Sequence, residues 1–286
     1  MILSVGEILA DIVGAEKDFK INLGGAPFNM AVNAKNNGAK VGFIGAIGND
    51  VVGKILLAQA NKYNLDCLNL QKLSCNTTLA FVTLDKGERN FSFFRDNTAD
   101  YKIDFKKIDL SIFKDLSILH IGSLMLNKKV GQKAVKNLIK QAKKLNIKVS
   151  FDVNLRDIFK DKVQAIKSYN YALNNADIIK LSQEELEFFT NESDIITALN
   201  TLARKDVLYV VSLGEKGSLC FYNDRAYSVP TTKVNPVDTT GAGDAFYGTF
   251  IAEIENKEYT EQVLVSALKK ANLVGAETTL FYGALK

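Results

Sequence analysis

From about Leu116 onward the chain alternates short apolar runs with amphipathic stretches. Residues 117–121 precede 128–145, residues 148–153 precede 158–173, and residues 177–181 precede 184–189. Runs of strand length, each followed by a run of helical period, predict βαβ units and hence a mainly parallel sheet covered by helices. Residues 207–213 add a further fully apolar strand. Phe246, Phe250, Ile251 and Ile254 fall at the spacing of an amphipathic helix over residues 245–255. Residues 77–94 follow another pattern, with alternating segments 79–84 and 90–94 flanking Asp85-Lys86-Gly87-Glu88-Arg89. That is the signature of an antiparallel hairpin with a glycine turn. It reads either as a lid inserted in an α/β body or as an edge hairpin of the main sheet.

Length and composition sharpen this picture. The 286 residues, 47% hydrophobic and 24% charged, suffice for a full core and are ordinary for a globular protein. The length admits two domains, but no Pro/Gly/Ser-rich linker interrupts the pattern, and the only prolines are Pro27, Pro230 and Pro236. One large domain, residues 1–286 with an appendage, is the simpler expectation. No apolar run has the length of a bilayer span. The formal charge of +4, from 36 Lys+Arg against 32 Asp+Glu, comes without a dense basic block, so neither nucleic acid nor membrane is expected as a partner. Cys67, Cys75 and Cys220 are odd in number and lack CxxC spacing, which points to reduced thiols and a cytoplasmic location. The single histidine, His120, lies in an apolar run and reads as a packed or strand-end residue. It cannot build a histidine-based metal site.

Two segments carry candidate phosphate chemistry. Gly48-Asn49-Asp50-Val51-Val52-Gly53-Lys54-Ile55 approaches Walker A spacing, but Ile55 stands where a hydroxyl must meet Mg²⁺. Its context also argues against a P-loop, since the strand-like residues 40–44 are separated from it by Gly45-Ala46-Ile47. Asp238-Thr239-Thr240-Gly241-Ala242-Gly243-Asp244 follows an extended segment, 227–237, and leads into the helix at 245–255. Helix N-termini hold N–H groups without intrahelical partners and a partial positive charge, so anions bind there. Asp244 alone reads as an N-cap. With both glycines beside it, it reads as an ionised carboxylate able to take a proton from an alcohol. Asp152-Val153-Asn154-Leu155-Arg156, Lys180 with Glu185, and Gly214 all follow expected strands. In open α/β sheets that is where ligands lie.

With these residues laid out, the chain resembles the ribokinase-like PfkB family of carbohydrate kinases over essentially its whole length. The two carriers are the 238–244 segment and Gly24-Gly25-Ala26-Pro27-Phe28-Asn29-Met30-Ala31, followed by Gly38 and Gly48. The resemblance implies a three-layer α/β ribokinase-like fold, its mainly parallel sheet flanked by helices on both faces. A small β lid would come from about residues 11–23 and 77–94. It implies sugar binding by Asp11, Gly24, Gly25 and Asn29, with Asp244 as general base and the amides of Gly241, Ala242 and Gly243 around the transferring phosphate. ATP would be held near Lys180, Ser212, Gly214, Gly217, Gly243 and Asn272. Glu185 would organise Mg²⁺ through water, and Asp238 and Thr240 would lie at a monovalent cation such as K⁺. A homodimer through the lid is a further implication.

Within the family, Gly6-Glu7-Ile8-Leu9, residues 79–95 and Asp152-x-Asn154-x-Arg156 look most like fructokinases, with Arg95 reaching the substrate from the lid. Val153, where fructokinases carry Pro, and Ser182, in place of the family's Asn, depart from the pattern. The expectation is transfer of the ATP γ-phosphate to fructose O6. Because Arg95 and Arg156 suit a carboxylate as well as hydroxyls, 2-keto-3-deoxygluconate or another sugar is the alternative. A non-catalytic sugar sensor is a third reading, disfavoured by an intact Asp244.

Overall fold

The computed structural model describes residues 1–15, 18–85, 88–155 and 162–286. In chain order the strands are β1 (Ile2–Val5), β2 (Leu9–Ala15), β3 (Asp18–Gly24), β4 (Val41–Gly48), β5 (Cys67–Leu73), β6 (Leu79–Asp85), β7 (Glu88–Phe94), β8 (Ile118–Ile121), β9 (Lys148–Asp152), β10 (Ile178–Ser182), β11 (Leu208–Ser212), β12 (Ser218–Tyr222) and β13 (Arg225–Val229). The helices are α1 (Ala26–Asn36), α2 (Val51–Ala60), α3 (Lys129–Lys144), α4 (Lys162–Asn175), α5 (Gln183–Thr190), α6 (Ile195–Leu202), α7 (Ala242–Ile254) and α8 (Glu261–Thr278).

The larger sheet has the order β13-β12-β11-β10-β9-β8-β1-β4-β5, parallel except for β12 and β13 at one edge. Its central strands β1, β4 and β8 to β11 are almost wholly buried, on both faces, as in parallel sheets covered by helices. Alternate residues serve opposite layers: Leu3, Leu119, Val149 and Phe151 pack with α3 to α6 through Val135, Leu138, Tyr169 and Leu199. Ile2, Ile118 and Ile178 face α1, α2, α7 and α8 through Phe28, Leu56, Phe250 and Leu268. This three-layer arrangement meets the expected fold class. The chain leaves β1 toward β4 on one side and later fills β8 to β11 on the other, so the strand order switches beside β1.

The smaller sheet has the order β3-β2-β6-β7. The expected hairpin therefore does not extend the edge of the main sheet. It pairs instead with a second hairpin, with Ala10 opposite Leu79 in a parallel β2–β6 contact. A lone two-stranded hairpin is marginal in water, and pairing two of them gives a four-stranded unit. Its feet are fastened to the body by buried polar clusters. Asp100 accepts from Thr98 Oγ1 at 2.8 Å and Arg95 Nε at 2.6 Å, and also from Thr78. Asp50 Oδ2 accepts from the Thr77 amide at 2.7 Å, and its Oδ1 accepts from Gly53 N at 2.7 Å and Thr77 Oγ1 at 2.8 Å.

Several sequence expectations are corrected. β4 continues through Gly45-Ala46-Ile47 to Gly48, held by parallel pairing with β5 from Gly42 to Gly48. The Walker-like segment thus follows a strand directly, and it is refused on other grounds. Gly53 and Lys54 lie inside α2, whose N-terminus is already capped by Asp50. Of the extended segment expected over 227–237, only 227–229 pair in a sheet, as the end of β13, because Pro230 and Pro236 lack the N–H a ladder needs. The helix expected over 158–173 is described from Lys162 to Asn175; its earlier residues lie outside the described set.

Burial pushes the Asp50 carboxyl up, but the donors of Gly53 and Thr77 more than offset this and hold it below the ordinary range. A depressed folded pKa stabilises the protein above the unfolded pKa of about 3.9, and that stability is lost as pH falls through the folded value. Asp50→Ala is expected to lose about 1–2 kcal/mol at pH 7 by urea unfolding. The difference from wild type should shrink below about pH 4.

Candidate active site

The carboxyl ends of β1, β8 and β9 and the N-terminus of α7 converge on one cleft. Glu7, Leu9, Asp11, Gly25, Asn29, Phe93, Ser123, Leu124, Asn154, Thr240, Gly241 and Asp244 line it. A larger cavity of about 920 Å³ lies beyond Phe93, lined among others by Thr77, Phe94, Arg95 and Lys128. It contains neither Asp244 nor the start of α7, which belong to the smaller cleft.

Gly241, not Asp244, is the N-cap of α7, with φ 76° in the left-handed region. A Cβ there would stand 2.4 Å from Ala284 Cβ, so only glycine lets the C-terminal segment close over this turn. Gly243 is different: a Cβ there would meet only Lys180 Nζ, at 3.7 Å. Its position in the first turn is open and suited to an anion. The Ala242 amide is bonded back to Thr239 O at 3.3 Å. Asp244 occupies the third helical position, and its Oδ2 accepts from Asn29 Nδ2 at 2.8 Å.

Asn29 arrives from α1. Ahead of that helix, a Cβ on Gly24 would fall 2.2 Å from the Asp11 carboxylate, and one on Gly25 would fall 2.4 Å from Glu7 O. The glycine pair is thus what lets Asp11 and the loop after β1 press against the start of α1. Asn29 is 5% exposed, and its Oδ1 is a buried acceptor without a hydrogen-bond partner in the protein. A buried acceptor left open beside a cleft suits a ligand hydroxyl.

Lys180 Nζ lies 2.9 Å from Asp152 Oδ1 and 3.2 Å from Oδ2, with both residues buried. Burial pulls the ammonium pKa down, but Asp152, Glu185 and Asp244 together hold it above the usual lysine range. Glu185 closes a capping box on α5, its Oε2 accepting from Ser182 N at 2.8 Å, while Oε1 accepts from Leu155 N. Burial raises its pKa, against the pull of Lys180. Three carboxylates around one ammonium leave the region negative, which suits a divalent cation. Among the described residues no group of three His, Cys, Asp or Glu side chains could hold a metal by itself. A metal here would share its coordination with phosphate and water.

The remaining expected residues divide. Gly214 (φ 58°) has open space around it, and Ser212 is partly buried at the end of β11. Gly217 packs tightly, since a Cβ would fall 2.2 Å from Val229 O. Asn272, expected near the nucleotide, is buried: it accepts from Ser218 Oγ at 2.8 Å and donates to Val229 O at 3.0 Å, tying α8 to β12 and β13. Asp238 clasps the loop, Oδ1 accepting from Thr240 N and Oδ2 from Gly283 N, both at 2.8 Å.

Arg95 does not reach out from the smaller sheet. It is buried beneath it, bound to Asp100, Asn127 and Leu124 O, and lines the larger cavity. Arg156 lies outside the described residues. Asn154, one of the strand-end residues picked out from sequence, lines the cleft, as do Glu7 and Ser123, which were given no role there. The strand-end rule was the available signal for each, and Asn154 adds an unusual φ of 34°.

Residues 1–285 match the family described as pfkB family carbohydrate kinase. A probable fructokinase of Arabidopsis thaliana is 33% identical over 302 residues, covering 100% of this chain and 92% of that protein. A crystal structure of Vibrio cholerae fructokinase in its fructose, ADP and calcium ion bound form superposes with a TM-score of 0.87 at 29% identity, covering 100% of this chain and 94% of that one. A Xylella fastidiosa fructokinase with bound ATP gives 0.87 at 28% identity, covering 99% and 93%.

The two glycines of the α7 turn should respond oppositely to alanine. Gly241→Ala is expected to cost about 2 kcal/mol in urea unfolding, from the left-handed φ and the Ala284 contact. Gly243→Ala should keep or raise stability by up to about 1 kcal/mol.

Proposed function

The chain belongs to the pfkB family of carbohydrate kinases, and from that premise we propose that this sugar kinase transfers the γ-phosphoryl group of ATP to O6 of fructose. The observation that carries the reading is the placement of the Asp244 carboxylate and the first turn of α7 on the wall of the cleft that Asp11 and Asn29 also line. The sugar oxygen attacks the γ-phosphorus in line, the bond to the β–γ bridging oxygen breaks, and ADP leaves. Asp244 takes the hydroxyl proton. Positioning and electrostatics dominate such a transfer.

Each neighbouring group has a part in this reading. Asp11, Gly24, Gly25 and Asn29 hold the sugar, the open Asn29 Oδ1 accepting one of its hydroxyls. Gly243 and the α7 dipole receive the phosphate, and Lys180, kept charged by Asp152, offsets its negative charge. Gly214 and Ser212 border the nucleotide. Mg²⁺, carried in with ATP, supplies further charge neutralisation, with Glu185 orienting its waters. Asp238 and Thr240 remain the proposed place for a monovalent cation; a related Vibrio cholerae fructokinase variant was crystallised in a potassium ion bound form. The smaller sheet acts as a lid that excludes water, the competing acceptor. Phe19 and Phe94, 53% and 60% exposed on that sheet, support a lid-mediated homodimer. Three cysteines without disulfides support a cytoplasmic location, and among the described residues no helix is long and apolar enough to cross a membrane.

Fructose is favoured over 2-keto-3-deoxygluconate because Arg95, a cation that a sugar acid would need, is held by Asp100. Steady-state rates over a sugar panel, with and without K⁺, are expected to place fructose first; a higher kcat/KM for the sugar acid would reverse the choice. Asp244→Asn keeps the side-chain shape but removes the base, and should lower kcat by about 10²–10⁴-fold. Equal rates for this variant and wild type would sink the base assignment. Gly243→Ala should raise KM for ATP while its fold stays intact.

A further inference from the structure

We propose that Ser150 and Tyr247 are positioning residues for phosphoryl transfer, fixing through one buried hydrogen bond where the first turn of α7 presents Asp244. The inference rests on the reading of Asp244 as the base.

On the face of the main sheet turned to α1 and α7, a row of polar side chains crosses three adjacent strands. Ser4 pairs in register with His120, and His120 with Ser150, so the three share a face of adjacent strands β1, β8 and β9. All are buried, at 0, 2 and 0% exposure. Ser150 Oγ is 3.0 Å from His120 Nδ1 and 2.7 Å from Tyr247 OH. Ser4 Oγ donates to Pro27 O at 2.7 Å. The row therefore grips both helices that meet at the base: α1 two residues before Asn29, and α7 one turn after Asp244.

The same strand sets the opposing charge. Two residues beyond Ser150 on the same face of β9, Asp152 holds Lys180, which interacts electrostatically with Asp244. One rigid strand thus fixes both the body of α7 and the ammonium beside its first turn, about 6–7 Å apart along the strand. Apolar contacts let a helix slide along its axis, whereas a hydrogen bond is directional and does not. Burial, and then Lys180, lower the His120 pKa to about 3. The row is accordingly neutral at working pH and adds no charge near the base.

Lys180 from β10 interacts with Asp244 and also with Asp152 from β9 and Glu185 from α5, while Asp11 from β2 and Glu7 after β1 line the same cleft as Asp244. Of these, Lys180 alone is positive. Any retreat of α7 from Lys180 weakens the attraction between Lys180 and Asp244, and a carboxylate that loses a cationic neighbour holds its proton to higher pH.

The test compares Tyr247→Phe, Ser150→Ala and the double variant with Asp244→Asn, in the full chain, with ATP and fructose. In each single variant kcat should fall about 10- to 100-fold while KM for both substrates stays within about twofold. The double variant should be no worse than the weaker single one, because both remove the same bond. The acid limb of kcat/KM should move to higher pH, with the thermal midpoint within a few degrees of wild type. Wild-type kcat in both singles beside an inactive Asp244→Asn overturns this inference alone. So does a loss of kcat that follows a lowered thermal midpoint while the acid limb stays put. Full turnover by Asp244→Asn sinks the base reading and this inference with it. Ser150→Ala removes a single oxygen and carries the comparison if Tyr247→Phe misfolds.

Discussion

A Cβ at position 248 would lie 2.4 Å from the carbonyl oxygen of Met30, so α7 can rest against the backbone of α1 only because residue 248 is glycine. That close approach sets the rest of the site. It brings the Asn29 amide within 2.8 Å of the Asp244 carboxylate and lets Asn37 Nδ2 reach Thr249 Oγ1 at 2.9 Å. Because α1 follows the β2–β3 hairpin directly, the same contact fixes where Asp11 and the smaller sheet stand relative to the start of α7.

The electrostatics follow from that frame. Lys180 is buried in the middle of the main sheet, a costly place for an ammonium unless it is paired. Asp152 pairs with it directly, while Glu185 and Asp244 surround it, so the ammonium stays charged. The pairing leaves excess negative charge in a region that also holds a helix N-terminus. Such a pocket suits phosphate arriving together with a divalent cation.

Much of the architecture was legible residue by residue. The alternation of apolar and amphipathic runs after Leu116 marked β8 to β11 and α3 to α5, because burial of a strand and of one helix stripe imposes different periods. The Gly-Ala-Gly turn before an apolar helix marked α7. The run 41–48 was harder: its glycines read as a break, yet Gly45 lies in β4, where a Cβ would crowd the Phe43 ring at 2.7 Å. Asn272 and Arg95 were read as ligand contacts, and folding engages both with Ser218, Val229, Asp100 and Asn127. Hydrogen-bond capacity is visible in a residue type, but the partner that takes it up is not.

The sequence by itself determined the layers, the βαβ order, the position of the Gly-Ala-Gly turn and the presence of an ionisable Asp after it. These depend on local periodicity, backbone freedom at glycine and side-chain chemistry, all of which are properties of neighbouring residues. Tertiary structure alone decided that Gly241 caps α7 while Asp244 faces Asn29, that two hairpins separated by more than fifty residues form one sheet, and that Ser4, His120 and Ser150 align beneath Tyr247. Each of these is a contact between segments distant in the chain. Its geometry comes from sheet register and helix packing, which no local stretch encodes.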